Sequence, residues 1–273
     1  MRPEDLRNYR TLRRLVDNPW EVLRFRTTRR PGQTLTVRMR EGGPLYLRGG
    51  HTDFHIFHRI FLRDEYRLDA VAVGAWSCVV DLGANVGLFS ARAAPLAQRV
   101  IAYEPHAGNF ACLERNLAGR PNVVRVQAAV AGTAGTLRLH HPEHEGLSGI
   151  YSAYREEGRH LSSRFEEVRA ETLDQLFESH GIEVCDLLKI DVEGAEYEIL
   201  HAASSATLER VHRIHGEYHD VARDDPRTRI GSFVKFLEGL GFTVELDRHR
   251  RRENLGLFYA ERPGLSTSRP PRV

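Results

Sequence analysis

The stretch CVVDLGANVGLFS, residues 78–90, decides the fold. Its first half, 78–83, is an apolar run of strand length and reads as a short buried β-strand. It leads into Asp81-Leu82-Gly83-Ala84-Asn85-Val86-Gly87, where Gly83 and Gly87 let the chain turn sharply and let a ligand approach the backbone. A helix is expected from about Val86. The next apolar run, VIAYEP at 100–105, ends in Tyr103-Glu104-Pro105 and precedes a helical pattern through Asn116. Glu104 stands 21 positions after Gly83, where a doubly wound sheet places an acid to hold ribose hydroxyls.

Working outward, strand and helix patterns keep alternating. VVRVQAAV (123–130) reads as the third strand, and TLRLHH (136–141) adds a short ribbon. Residues 142–165 are polar and lack a period, which suggests a lid or a substrate-facing insertion. TLDQLFESHG (172–181) is a helix closed by Gly181, DLLKID (186–191) the fourth strand, 193–203 its helix, and RVHRIHGEY (210–218) the fifth strand. A helix over 228–240 and a closing antiparallel pair, FTVELD (242–247) and NLGLFYAE (254–261), follow. Upstream, residues 1–19 read as a helix, 34–48 as a hairpin around Glu41-Gly42-Gly43, and 53–66 as a helix capped by Thr52 or Asp53. The sum is an α/β, doubly wound, mostly parallel sheet covered on both faces, with ligands expected beyond the carboxyl ends of the strands. We divide the chain into an extension (1–50), a core domain (51–262) and a tail (263–273).

Composition narrows the class. With 273 residues, 41% hydrophobic and 28% charged, the chain is ordinary globular protein, which excludes disordered, collagen-like and disulfide-scaffold classes. No apolar run reaches the roughly 18–20 residues of a membrane helix, and the charged start MRPEDLRNYR is no secretory signal, so a cytoplasmic protein without a membrane partner is expected. Cys78, Cys112 and Cys185 are unclustered and read as free thiols without zinc spacing. The first fifty residues hold twelve arginines against five acids, and 248–273 hold seven against two. These basic ends read as solvated surface, with nucleic acid as the alternative partner.

Two cofactor classes compete for the glycine loop. A dinucleotide loop follows G-x-G-x-x-G and seats a pyrophosphate on the helix amino end; this loop is G-A-N-V-G. Asp81 at its entrance would repel a diphosphate and suit a cation. S-adenosylmethionine carries an ammonium, a sulfonium and a ribose but no phosphate, so the electrostatics favour it over NAD.

Several segments together resemble the FkbM family of S-adenosylmethionine-dependent methyltransferases: DLGANVGLFS (81–90), YEPHAGNFACLERN (103–116), ETLDQL (171–176) and LLKIDVEGAEYEIL (187–200). RGGHTDFHIFHRIFLRDEY (48–66) is similar to the family's lead into its core, so the resemblance spans about residues 45–262. It implies the seven-stranded class I methyltransferase (Rossmann-like) sheet and, usually, O-methylation of a small molecule or glycan. It places Asp81, Gly83, Ala84, Asn85 and Gly87 on the cofactor loop and Glu104 with Pro105 at the ribose. It adds Asn109, Gln127 and Asp191 to the cofactor pocket, and Asp53 and Tyr66 as lid residues over it. Ala107 stands where the family often has proline.

Acceptor-side groups should follow the fourth and fifth strands. Lys189 and Asp191 alternate onto one strand face, and a lysine inside LLKI needs a partner, for which Asp191 is the candidate. Glu193 reads equally as a catalytic group or as the first-turn acid of the next helix. His215, Glu217 and His219 share a side if the fifth strand persists. Three readings stay open there: packing with Glu217 on an arginine, acid–base work by His219, or a divalent ion. Such an ion would sit on the two histidines and Glu217, or on Asp191, Glu217 and Asp220 beside a diol. The catalytic set is Asp191, Glu217, His219 and Lys189, with no metal assigned. His51, His55 and His58 read as core or surface, and His140, His141 and His144 as substrate contacts or solvated loop.

The leading function is a small-molecule or sugar O-methyltransferase. A nucleic-acid methyltransferase would want an N-P-P-Y-like clamp after the fourth strand, where Asp191-Val192-Glu193-Gly194 stands instead. An NAD-linked oxidoreductase lacks its loop spacing and a Tyr-x-x-x-Lys pair, and a non-enzymatic cofactor-binding scaffold is the fourth reading. The acceptor's identity and the oligomeric state, a homo-oligomer included, stay open.

Overall fold

The structure is a computed structural model and describes residues 3–143, 161–220, 228–249 and 254–264. Two helices open the chain, α1 (Pro3–Leu15) and α2 (Pro19–Thr28). The second lies beyond the expected 1–19, and its signal is Pro19 at the first helical position followed by Glu21 in the first turn. Asn18 ties this corner to the following hairpin: its amide donates to the Thr36 carbonyl (2.8 Å) and its carbonyl accepts from the Arg38 amide (2.9 Å). The hairpin is β1 (Thr34–Val37) and β2 (Leu45–Arg48), as the alternation predicts. The expected helix over 53–66 is shorter, α3 (Asp53–Phe57) running into one π-helical turn (His58–Leu62). Asp64 (φ 48°) and Arg67 (φ 60°) then bend the chain away from helical geometry.

The core follows as β3 (Trp76–Leu82), α4 (Leu88–Ala93), β4 (Ala97–Tyr103), α5 (Ala107–Leu117) and β5 (Val123–Val126). A side ribbon is built from β6 (Ala129–Val130), β7 (Gly135–Pro142) and β8 (Leu161–Glu171). Then come α6 (Leu173–Ser179), β9 (Leu187–Ile190), α7 (Glu196–Ala202), α8 (Ser205–Glu209), β10 (Arg213–His219), α9 (Ile230–Gly239), β11 (Thr243–Arg248) and β12 (Leu255–Glu261).

Seven strands form the central sheet in the order β11-β12-β10-β9-β3-β4-β5. β5, β4, β3, β9 and β10 are parallel, and β12 is antiparallel to both β10 and β11. The doubly wound fold and its closing pair therefore stand as the sequence predicts. Both faces are covered, which is why LLKI can be buried at every position. Val79 and Val100 face the layer that holds α4, α5 and the N-terminal hairpin; Val80, Leu82 and Ile101 face the layer that holds α6, α7 and α9. Strand order reverses between β3 and β9, paired as Asp81 with Lys189 and Leu82 with Ile190, so the ligand crevice of this topology opens above these two ends.

Two expectations change. VVRVQAAV is two strands: the last rung between β4 and β5 joins Tyr103 to Val126, and beyond it the chain has no partner in that sheet. Residues 129–130 instead pair with β8. The polar stretch from 142 is also partly strand, since 161–171 pairs antiparallel with β7. Its half-buried positions include Glu166 beside Val168, so no apolar alternation betrays it. Residues 144–160, the centre of the expected lid, and the tail from 265 lie outside the described residues. Among the described residues no helix is long and apolar enough to cross a membrane.

Candidate active site

The loop after β3 is shaped by contacts that leave no room for side chains. Gly83 has φ +74°, and a Cβ on it would lie 1.9 Å from the Asp191 carbonyl oxygen. The Gly83 and Ala84 amides both donate to the Tyr103 carbonyl (3.1 and 2.9 Å), so the loop is pinned between the ends of β4 and β9. Asn85 adopts φ 50° and Gly87 φ 79°, the latter opening α4 against Leu113 and Leu117.

Lys189 holds this loop from beneath. Its ammonium donates to the Gly83 and Leu82 carbonyls (2.7 and 3.1 Å) and pairs with the Asp81 carboxylate at 3.0 Å, while Ser90 donates to the same carboxylate at 2.6 Å. The ion-pair partner of Lys189 is thus Asp81 rather than Asp191. Asp81, fully buried and neutralised, does not present a bare carboxylate at the loop entrance, which corrects the electrostatic role expected for it. Lys189 is itself buried and committed to the backbone, so the structure gives it a positioning place rather than the catalytic one expected.

Acids do line the cleft, but they are Glu104, Asp191 and Glu193, together with Gly83, Asn85, Pro105 and Asn109. The ribbon strand β7 closes one wall with Leu137 and Leu139. Glu104 accepts from the Asn85 amide (2.8 Å) and the His106 amide (3.0 Å), and burial pushes its carboxyl up to about 7 against these bonds. Asn109 is held by Arg48 (3.0 Å), which in turn grips Asp53. Asp53 is fully buried in that ion pair, so it braces the pocket wall and does not cover the cofactor space as a lid. Gln127 is exposed and outside the cleft; its neighbours Ala128 and Ala129 line it instead.

Asp191 emerges at the end of β9, and the Tyr66 hydroxyl donates to it at 3.3 Å. Burial alone would raise the Asp191 carboxyl; the charges of Lys189, Arg59 and His219 and the Tyr66 bond outweigh burial and hold it below its usual value. Glu193 is not in a helix: α7 begins at Glu196, and Glu193 sits in the preceding turn at φ 56°. Glu196, fully buried, accepts from the Val192 and Gly194 amides (3.1 Å each) and from the His219 ring at 3.1 Å. His219 lies 3.4 Å from Glu193 on its other nitrogen. Glu196 and Glu193 outweigh burial and push His219 up to about 10, so in this arrangement it is an imidazolium at neutral pH and holds no free lone pair for a base.

β10 persists through 219, yet its three alternate residues do not converge on one ion. His215 bonds the Tyr66 carbonyl (3.0 Å) and Glu261 (3.2 Å). Glu217 takes a charge-assisted bond from Arg59 (2.6 Å), which also donates to Glu65 (2.6 Å). Asp220 accepts from Tyr197 and from the Ile230 amide (2.6 and 2.7 Å). The donors that do converge are Asp191, Glu193 and His219, whose ligand atoms lie within 4.8 Å of one another. Arg59, Glu65 and Glu196 are not among the candidates the sequence offers: nothing in the local pattern marks Arg59, and Glu196 falls inside the helix expected over 193–203. His58 bonds Asn8 (3.3 Å) and His141 meets His106 edge-on (5.7 Å), while His144 lies outside the described residues.

A doubly wound sheet with one reversed strand near its edge, a pinned glycine loop, a buried acid at the end of the next strand and an acidic crevice are the architecture of a class I methyltransferase. The chain belongs to the FkbM methyltransferase family: the FkbM methyltransferase domain matches residues 81–244. It is 29% identical over 237 residues to the 31-O-demethyl-FK506 methyltransferase FkbM of Streptomyces tacrolimicus, covering 77% of this chain and 89% of that one. It is 31% identical over 257 residues to the AMB antimetabolite synthetase AmbE of Pseudomonas aeruginosa, covering 80% of this chain but only 12% of that protein's length. Among solved structures, a methyltransferase FkbM from Methylobacillus flagellatus aligns with TM-score 0.46 and 15% identity, over 94% of this chain and 59% of that one. The members of this family depend on S-adenosylmethionine.

Proposed function

We propose that this chain moves the methyl group of S-adenosylmethionine to a hydroxyl oxygen on a small molecule, sugar or natural product. The observation that carries the reading is the cleft at the β3–β9 switch point, lined by three acids and by no arginine or lysine among the described residues. Such a lining favours an ammonium and a sulfonium and disfavours diphosphate. The Streptomyces relative is a 31-O-demethyl-FK506 methyltransferase, which supports an oxygen acceptor.

The residues fit the cofactor: Gly83, with no side chain, lets the loop lie against the Asp191 carbonyl at the floor of the cleft, and Glu104 keeps acceptor capacity for ribose hydroxyls beside its two amide bonds. The bound cofactor supplies an electrophilic methyl carbon. The chain's own work is to exclude water and align the nucleophile behind that carbon. Asp191, ionised and oriented by Tyr66, receives the acceptor hydroxyl's hydrogen bond, Lys189 fixes the loop, and Arg59 with Glu217 braces the acceptor end. That acidic end disfavours a phosphodiester chain, so a small molecule or glycan is the proposed partner rather than RNA. The test is a reaction of the protein with methyl-labelled S-adenosylmethionine and host metabolite extract, read by mass spectrometry. Label in an acid-stable ether on a small product is expected; label only in RNA overturns the proposed acceptor class.

A further inference from the structure

We propose that Asp191, Glu193 and His219 form a divalent cation site at the acceptor end of the cleft, and that the acceptor binds it through two neighbouring oxygens. The inference rests on the methyltransferase reading above and names its substrate class, a vicinal diol or hydroxy acid.

Three elements bring the donors together. Asp191 ends β9, Glu193 sits in the turn before α7, and His219 ends β10. One ligand atom from each lies within 4.8 Å of the other two. In a hexacoordinate ion with bonds of about 2.0–2.2 Å, opposite donors stand about 4.4 Å apart and neighbouring ones about 3 Å. His219 and Glu193 are already 3.4 Å apart, and rotation of the Asp191 and Glu193 side chains by up to about 1.8 Å at the ligand atoms closes the set.

The second observation is the support behind the donors. The Nδ1 of His219 faces the Oε1 of Glu196 at 3.1 Å, which directs Nε2 toward Glu193, itself a residue of the cleft lining. This is the carboxylate–histidine arrangement that orients metal-bound imidazoles. The ion takes the place of the Nε2 proton that His219 carries in the ion-free arrangement, so binding releases that proton to water. The same Glu196, fully buried, takes the Val192 and Gly194 amides, so one side chain fixes both the turn carrying Glu193 and the ring of His219. On the far side the Tyr66 hydroxyl holds Asp191.

Two carboxylates and one imidazole suit Mn²⁺ over Mg²⁺, because the nitrogen donor is softer than water or carboxylate oxygen. Three protein donors leave open positions for two acceptor oxygens. A hydroxyl bound there loses its proton to water, its oxygen forms the new O–C bond, and the S–C bond breaks with its electron pair going to sulfur. Charge on the acceptor oxygen is then held by the ion, with Asp191 acting as ligand.

The test is a Mn²⁺ titration of the full chain, with and without S-adenosylhomocysteine, read by loss of the free-ion electron paramagnetic resonance signal. One ion per chain with micromolar affinity is expected, weakened at least tenfold in Glu193→Gln and in His219→Asn, and within threefold of wild type in Glu217→Gln. Thermal unfolding checks that each variant is folded. Absence of stoichiometric binding below 1 mM in the folded wild type, or equal weakening in Glu217→Gln, overturns the site. Calorimetry with S-adenosylhomocysteine alone reports the cofactor reading separately, so a chain that binds the nucleoside but no Mn²⁺ refutes only the cation.

Discussion

The ammonium of Lys189 lies 3.0 Å from the Asp81 carboxylate and donates to the Gly83 carbonyl at 2.7 Å. One buried cation therefore neutralises the acid at the end of β3 and pulls the glycine loop onto β9. The Lys189 ammonium is held above its usual pKa: burial opposes the charge, and Asp81 and Asp191 outweigh it. Removing either partner leaves the other charged and buried, which costs far more than the pair gains.

Lys189→Met should accordingly destabilise the protein by about 3–5 kcal/mol. The double variant Asp81→Asn/Lys189→Met should recover part of that loss, because no unpaired charge remains. Denaturant unfolding of the three chains measures both effects; a single variant as stable as wild type contradicts the role.

Gly83→Ala should abolish nucleoside binding and lower stability by at least about 2 kcal/mol, since φ +74° disfavours an L side chain and its Cβ would meet the Asp191 carbonyl at 1.9 Å. Calorimetry and thermal unfolding check the two parts. A variant that still binds the nucleoside with wild-type affinity contradicts the packing.

The sequence carries the local features of this fold, and what it does not carry depends on long-range contacts. The strand–loop–helix at 78–90 carries local signals, an apolar run and two glycines, so neither needs tertiary knowledge. The spacing from Gly83 singles out Glu104, which the structure brings to the cleft. The partner of Lys189 is not legible in the sequence, because register between β3 and β9 sets it and Asp191 is equally placed along the strand. The sequence leaves Glu193 equally a catalytic group or a first-turn helix acid, because the delay of α7 to Glu196 comes from a buried side chain folding back on its own turn. β8 was hidden by its exposure: half of its inward positions are polar.

Glu104, pushed up to about 7 by burial, gives a pH signature. Its folded pKa exceeds its unfolded value of 4.5, so the native state binds the extra proton and stability falls as pH rises from about 4.5 through 7. Ribose hydroxyls donate to the ionised form, so nucleoside affinity should rise over the upper part of that window and level off above about pH 8. Titration at pH 6.5 in two buffers of different ionisation heat should show proton release on binding, which Glu104→Gln abolishes.

Tyr66→Phe removes the hydroxyl 3.3 Å from Asp191 while keeping the ring edge against Phe89 (5.0 Å). A bond to a charged group contributes about 1.5–3 kcal/mol at best, and this long one less, so turnover should fall about three- to tenfold with nucleoside affinity little changed. Steady-state rates beside a binding isotherm check it; equal loss in both would assign Tyr66 to the cofactor instead.

The most direct measurement is equilibrium titration of the wild-type protein with S-adenosylmethionine and, separately, with NADH. The acidic cleft predicts micromolar, stoichiometric binding of the sulfonium nucleoside, weakened at least tenfold by Glu104→Gln, and no NADH binding below 1 mM. Tight NADH binding with none of the sulfonium nucleoside would contradict the account at its centre.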